Sequence, residues 1–308
     1  MCYGGTVRQW KGMVINMADY IIKNEVLEAG INKKGAELVS LIRRKDNRQY
    51  MWNGDARYWN RVSPVLFPFV GKLNGQKYKH KGIWYEGIAQ HAFARDMEFT
   101  LVENTEDTIW LKLKNTEETY KIYPFKFTFE IGYKLSGNVL KVMWKVYNNS
   151  EETMYFSIGA HPAFLCPGNS KEGCKTNLHT TQEFIESGTL TPDGVLGRET
   201  RTFPLKDGRL EAKEEIFDKD ALILDATQIK KVSLEDCKGE EYLSVLFDTP
   251  LLGIWSPAGK NAPFICIEPW YGRCDREDFT GSLKEREYGN SLEAGNVFEK
   301  DYSIEINI

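Results

Sequence analysis

The sequence predicts an all-β protein, a sandwich of antiparallel sheets with few short helices. Three observations carry that expectation: side-chain alternation of period two, short β-rich runs bounded by turn residues, and the lack of repeated amphipathic helices. The alternation is clearest at Phe125–Tyr133. There Phe125, Phe127, Phe129, Ile131 and Tyr133 fall on one side, and Lys126, Thr128, Glu130 and Gly132 on the other. Successive strand residues point to opposite faces, so this segment buries one face and solvates the other. Ser136-Gly137-Asn138 supplies a turn, and Val139–Tyr147 returns with Val142, Trp144 and Val146 opposite Lys141 and Lys145. Asn148-Asn149-Ser150 turns again before Met154–Ile158, which predicts a meander of three neighbouring strands.

The same grammar marks Leu38–Arg43, Gln49–Trp52, Ile109–Leu113, Tyr242–Phe247, Gly253–Trp255, Phe264–Ile267 and Tyr302–Ile308 as strands. Short helices are expected near Glu211–Phe217 and Ser282–Glu287. A doubly wound α/β fold needs helices of about 10–15 residues between strands, and the pattern is missing. No repeat or low-complexity linker divides the chain, so residues 17–308 are expected to form one β-sandwich domain. Residues 1–16 carry Arg8 and Lys11 but no sustained apolar run, and Met17-Ala18-Asp19 reads like a second start. They are expected to be an extension outside the fold rather than a secretory signal.

Composition narrows the function classes. Hydrophobic residues make up 42%, which excludes a wholly disordered chain. Forty basic against 44 acidic residues leave a net charge of −4, without the basic excess of a nucleic-acid binder. No apolar run reaches the roughly 20 residues of a membrane-spanning helix. Eight Trp, 15 Tyr and 16 Phe suit a β core or a site that stacks on flat ligands. Six cysteines are too sparse for a disulfide scaffold. The spacings Cys166–Cys174 and Cys266–Cys274 are too wide for a zinc ribbon, so no structural metal is expected. Free thiols fit a reducing, cytoplasmic setting.

The four histidines divide by context. His80 lies in the charged run Lys79-His80-Lys81 and His179 in polar loop-like sequence; both are expected at the surface. His91 stands in Gln90-His91-Ala92-Phe93-Ala94-Arg95-Asp96, between a glycine-containing loop and a strand. His161 ends the third strand of the meander, where Pro162 lacks the N–H that would continue the ladder. A histidine at such a strand mouth is either a satisfied structural residue or part of a ligand site.

Glu268 follows the apolar run Phe264-Ile265-Cys266-Ile267 and precedes Pro269-Trp270. A strand apolar at four successive positions is covered on both faces, and an acid at its end has its pKa raised by burial. Glu268 and a histidine would then form an acid–base pair for proton transfer near neutral pH. The competing arrangement is a buried glutamate paired with Arg273 or Arg276. No Gly-x-Ser-x-Gly, P-loop, His-Glu-x-x-His or dinucleotide fingerprint is present.

At these residues the sequence resembles the aldose 1-epimerase (galactose mutarotase-like) superfamily, and most of all its LacX-type bacterial branch. The resemblance runs from about Asp19 to the C-terminus. It comprises the Ser63–Gly71 segment (SPVLFPFVG), Gln90–Asp96, Gly159-Ala160-His161-Pro162-Ala163-Phe164, Asp220-Ala221-Leu222-Ile223-Leu224 and Ile267-Glu268-Pro269-Trp270. Each is weak alone, and five in order along nearly the whole chain are specific.

The resemblance implies a β-supersandwich with an open cleft, and interconversion of the α and β anomers of a free aldose without cofactor or metal. Carried over by motif, Glu268 is the base at the O1 hydroxyl and His161 the acid at the ring oxygen. His91 hydrogen-bonds the substrate, and Asp220 binds sugar hydroxyls, with Asp218 two residues away as the alternative. Two positions depart from the family pattern. Lys72 stands where an arginine is common, and lysine loses the bidentate fork. Ala92 stands where glycine is usual, which restricts positive φ. Arg95, with Lys72 or Arg61, is a candidate holder of a sugar phosphate, its competing role being an ion pair with Asp96 or Glu98. The expected partner is a monosaccharide, with neither nucleic acid nor membrane, and the protein is expected as a cytoplasmic monomer or homodimer. The rival functions are a sugar-binding or regulatory module without turnover, and a hexose-phosphate 1-epimerase.

Overall fold

The computed structural model describes residues 18–227 and 229–307, so the expected extension at residues 1–16 lies outside the described residues. Two large sheets dominate. One has nine strands in the order Arg209–Glu211, Lys175–Asn177, Lys231–Glu235, Glu241–Phe247, Val297–Ile306, Val139–Asn148, Phe127–Ser136, Thr108–Lys114 and Thr100–Asn104. The other runs Leu196–Pro204, Phe184–Leu190, Leu222–Asp225, Leu251–Trp255, Phe264–Tyr271, Ile158–Ala160 and Val65–Leu66, with Ala163–Leu165 also paired to Phe264–Tyr271. Every pairing between these strands is antiparallel. A four-stranded sheet begins at Tyr20, and two hairpin-sized sheets complete the set.

The inner faces of the two large sheets share one apolar cluster. Phe127, Phe129, Ile131, Leu140, Val142 and Val146 from the nine-stranded sheet meet Leu252, Ile254, Ile265 and Ile267 from the other. Phe67 bridges them, with its ring 4.7 Å from that of Phe129 and 5.3 Å from that of Phe127. Each phenylalanine fully buried here contributes about 1.5–3 kcal/mol. The alternation in the sequence is thus the alternation of the fold.

The third strand of the expected meander is displaced. Val139–Asn148 pairs with Phe127–Ser136 as anticipated, but its other neighbour is the C-terminal strand Val297–Ile306. Met154–Phe156 pairs instead with Asn290–Leu292, and Ile158–Ala160 crosses into the eight-stranded sheet. The long C-terminal strand matches the length of Val139–Asn148, whereas the three-residue pieces after the turn do not. The helices expected near 211–217 and 282–287 are single 3-10 turns, Glu214–Phe217 and Leu283–Glu285. An α-helix, Glu117–Ile122, forms where Thr116 and Thr119 cap each other's backbone N–H groups. His80, expected at the surface, is buried: the strand Lys77–His80 alternates, turning Tyr78 and His80 inward and Lys77 and Lys79 outward. Its ring packs against Phe125 at 5.0 Å, and Nε2 lies 3.4 Å from Glu152. His179 is exposed, as expected.

Candidate active site

All eight residues of Phe264–Tyr271 are buried, and period two sorts them. Ile265 and Ile267 enter the inter-sheet core. Phe264, Cys266, Glu268 and Trp270 point to the outer face, where Phe264 and Cys266 pack with Trp52, and Trp270 with Leu66, Val70 and Ile223. Neighbouring strands repeat the arrangement, with Leu252 and Ile254 inward and Gly253 and Trp255 outward. The Trp270 indole fits only because both flanking strands carry glycine. A Cβ on Gly159 or on Gly253 would stand 2.5 Å from a Trp270 carbon. Trp270 Nε1 donates to the Ala160 carbonyl at 3.2 Å.

On this outer face lies a cleft of about 350 Å³, within the usual range for a small-molecule site. Glu268 and His161 meet at its floor, with Nε2 of His161 3.4 Å from Oε2 of Glu268. Pro162 does interrupt the strand at His161: Ile158–Ala160 ends there and Ala163–Leu165 begins a new pairing. Neither Glu268 oxygen has a hydrogen-bond partner among the described residues, and neither does His161 Nδ1. Arg273 and Arg276, the alternative partners, bind Glu287 instead. Burial, reinforced by the charge of Asp220, pushes the Glu268 carboxyl well above the usual carboxylate range. Burial also pushes the His161 imidazole down to about 3, against a smaller opposing pull from its own backbone. Both groups are therefore driven toward their neutral forms.

His91 is fixed by a reciprocal pair of hydrogen bonds. Its backbone N–H donates to the Gly71 carbonyl at 2.9 Å, and the Gly71 N–H donates to its Nδ1 at 3.0 Å. Since Nδ1 accepts, the ring proton sits on Nε2, and His91 is a neutral donor lining the cleft. Burial, followed by His161, Arg95 and Arg61, holds its pKa well below the ordinary imidazole value. This loop is strained: His91 and Ala92 both adopt left-handed φ, 64° and 52°.

Arg95 and Arg61 also line the cleft. Arg95 donates to the Gln90 carbonyl at 2.7 Å and lies 3.6 Å from Asp96, while Arg61 bonds Asp96 at 2.9 Å. Burial, and then the neighbouring Arg61, lower Arg95 to about 10. Asp220 also lines the cleft, with φ 71° and its carboxylate accepting from the Ala221 N–H at 2.8 Å. Asp218 closes the turn before it and is not among the lining residues. Lys72 is not among them either; its side chain runs alongside Gly194. The fold thus gathers Glu268, His161, His91, Arg95 and Asp220 around the cleft, with Lys72 beside Gly194, itself a lining residue.

Three donor atoms, from His161, Cys266 and Glu268, lie within 4.8 Å of one another. A thiophilic cation would accept such a set, but Cys266 is committed to packing among Trp52, Ala163 and Phe264 behind the floor. The sequence did not single out Trp59 and Trp255, which frame His161. Trp59 stacks on its imidazole, with centroids 4.7 Å apart at 28°, and Trp255 meets it edge-on at 5.4 Å. Among eight tryptophans nothing local marks these two, because their role comes from distant strands converging.

Comparison with known proteins agrees with this geometry. The family model for aldose 1-epimerase matches residues 19–277. Protein LacX of Lactococcus lactis subsp. lactis, in its plasmid form, is 32% identical over 288 residues, covering 90% of this chain and 91% of that protein. The crystal structure of a galactose mutarotase related enzyme from Lactobacillus acidophilus superposes with a TM-score of 0.88 at 35% identity, covering 94% of this chain and 97% of the other. A galactose mutarotase-like protein from Lactobacillus casei gives a TM-score of 0.87 at 29% identity, covering 94% and 99%. With the family match over residues 19–277, which hold every cleft residue named above, the chain belongs to the aldose 1-epimerase family.

Proposed function

We propose that the protein is an aldose 1-epimerase, interconverting the anomers of a free aldose by acid–base ring opening and closing. The observation that carries this reading is the approach of His161 Nε2 to Glu268 Oε2, 3.4 Å, on the floor of a cleft of monosaccharide size. Ring opening concerns two oxygens on one carbon, so its acid and base must stand close together. Glu268 takes the O1 proton while His161 delivers one to the ring oxygen. The aldehyde turns about the C1–C2 bond, and closure on the other face returns both protons.

The pair holds one proton throughout. Burial rests it on the carboxyl, and opening starts from the tautomer with the proton on the imidazole, which leaves Glu268 free to take the O1 proton and returns the pair to its neutral forms. His91 Nε2–H supplies a donor for oxygen charge as it develops. Asp220 accepts from sugar hydroxyls, and Trp255 and Trp270 offer apolar surface to the sugar's C–H groups.

The test follows anomer exchange by polarimetry or by NMR at the anomeric protons across a panel of aldoses. Wild-type protein is expected to accelerate exchange, and Glu268→Gln to abolish the acceleration while remaining folded. Equal, buffer-limited rates for both would end the reading.

A second reading has a specific observation behind it. Two guanidinium groups, Arg61 and Arg95, line one cleft, which favours a phosphorylated hexose. Arg95→Ala would then weaken a hexose phosphate far more than the neutral sugar; equal losses would exclude it.

A further inference from the structure

We propose that Trp59 is the positioning residue for His161, its stacked indole taking the orienting role that a hydrogen bond to Nδ1 plays for most working imidazoles. This rests on the reading of His161 as the ring-oxygen acid. A histidine that moves protons is ordinarily held through its second nitrogen by a carbonyl or carboxylate, which fixes ring rotation and tautomer. No other described residue gives His161 that contact: Nδ1 is buried, with only the weak pull of the residue's own backbone beside it.

The ring is enclosed by aromatic groups instead. Trp59 covers one face at 4.7 Å and 28°, Trp255 abuts it at 5.4 Å and 84°, and His91 at 5.9 Å and 84°. A face and two near-perpendicular neighbours leave the imidazole little freedom to turn about its Cβ–Cγ axis, so Nε2 stays directed at Glu268. An indole face also tolerates the ring in its protonated form, which a plain aliphatic wall does not.

Trp59 is itself anchored, as a positioning residue must be. Its N–H donates to the Asp55 carbonyl at 3.0 Å, and its carbonyl accepts from Trp52 Nε1 at 2.9 Å. Lys260 Nζ binds the preceding carbonyl, that of Tyr58, at 2.9 Å. The indole packs on Trp255 at 5.4 Å and Phe264 at 6.0 Å. Loop 53–62 is therefore a rigid arm that brings one ring to one imidazole.

The experiment compares Trp59→Leu with Trp59→Phe. Leucine keeps an apolar wall without a flat face, and phenylalanine keeps the face. Trp59→Leu is expected to lower kcat by about a hundredfold with KM little changed, the cost of a misplaced catalytic group. Trp59→Phe is expected to restore most of that loss. A second readout needs no activity: the ring protons of His161, shifted upfield by the indole in wild-type protein, should move toward ordinary histidine values in Trp59→Leu. Wild-type kcat in Trp59→Leu would overturn the proposal. So would a rise in KM at constant kcat, which marks a sugar platform, or His161 signals that do not respond. If the ring signals respond but wild-type protein exchanges no aldose, the hold of Trp59 on His161 stands and the epimerase reading falls.

Discussion

Oε2 of Glu268 lies 3.4 Å from Nε2 of His161, and the two nearby arginines in sequence, Arg273 and Arg276, pair with Glu287 instead. The proposed reaction requires Glu268 and His161 to hold one proton between them. Burial lowers the imidazole to about 3 and raises the carboxyl, so the imidazole sets the acid limb of the pH profile and the carboxyl the alkaline limb. The acid limb of kcat/KM is expected well below the ordinary imidazole value of about 6.5, and the alkaline limb well above the ordinary carboxylate value of about 4.3. Measured exchange rates corrected for buffer catalysis check this. An acid limb centred on the ordinary imidazole value would refute the shared-proton account.

The same burial costs stability. Glu268 has a folded pKa above its unfolded one, so the folded protein binds more protons and stability falls as pH rises above about 4.3. Glu268→Gln cannot ionise. Its melting temperature is expected to exceed that of wild type near neutral pH, with the gap closing as pH falls toward about 4. A gap that is absent, or that widens toward acid, would show Glu268 to be ionised in the folded protein.

Gly253 makes room for the floor of the cleft. A Cβ there would stand 2.5 Å from the Trp270 ring and 3.1 Å from Glu268 Cβ. Gly253→Ala is therefore expected to destabilise by about 1–3 kcal/mol, the range for an overpacked core. It should also slow exchange by moving Trp270 and Glu268 together. Denaturant midpoints and exchange rates test the two effects, and a neutral alanine would mean that Trp270 has space to shift.

Glu214 ties three loops together. It accepts from the Lys171 ammonium and from the backbone N–H groups of Lys260 and Asn261, at 3.0 and 3.1 Å. Lys171 is otherwise buried with the Ser256 hydroxyl at 3.1 Å and the Phe217 ring 5.4 Å from its ammonium. Glu214→Ala leaves that cation without its counter-charge, and a loss of up to about 3 kcal/mol is expected, below the fully buried range because Glu214 is partly solvated. Glu214 lies just upstream of Asp220, so KM for the sugar should rise as well. A variant with wild-type stability would show that Lys171 finds water.

Much of this molecule was legible in its chain. The all-β class followed from Phe125–Tyr133 and its return strand, because an alternating run can bury its apolar side only as a strand. Glu268 was legible for a similar reason: an acid ending four consecutive apolar residues belongs to a strand covered on both faces. His80 misled because its two lysine neighbours mark the outward face of a strand whose inward face holds the histidine. The helix Glu117–Ile122 escaped because threonine, not glutamate, completes its capping pair.

The sequence by itself determined the strands, the burial of Glu268 and the interruption at His161, since each depends on neighbours a few residues away. Only the tertiary structure decided which strands lie side by side, that Arg273 and Arg276 pair with Glu287 rather than Glu268, and that Trp59 covers His161. Those outcomes depend on contacts between residues far apart in the chain, where packing of whole faces, not local preference, sets the lowest free energy.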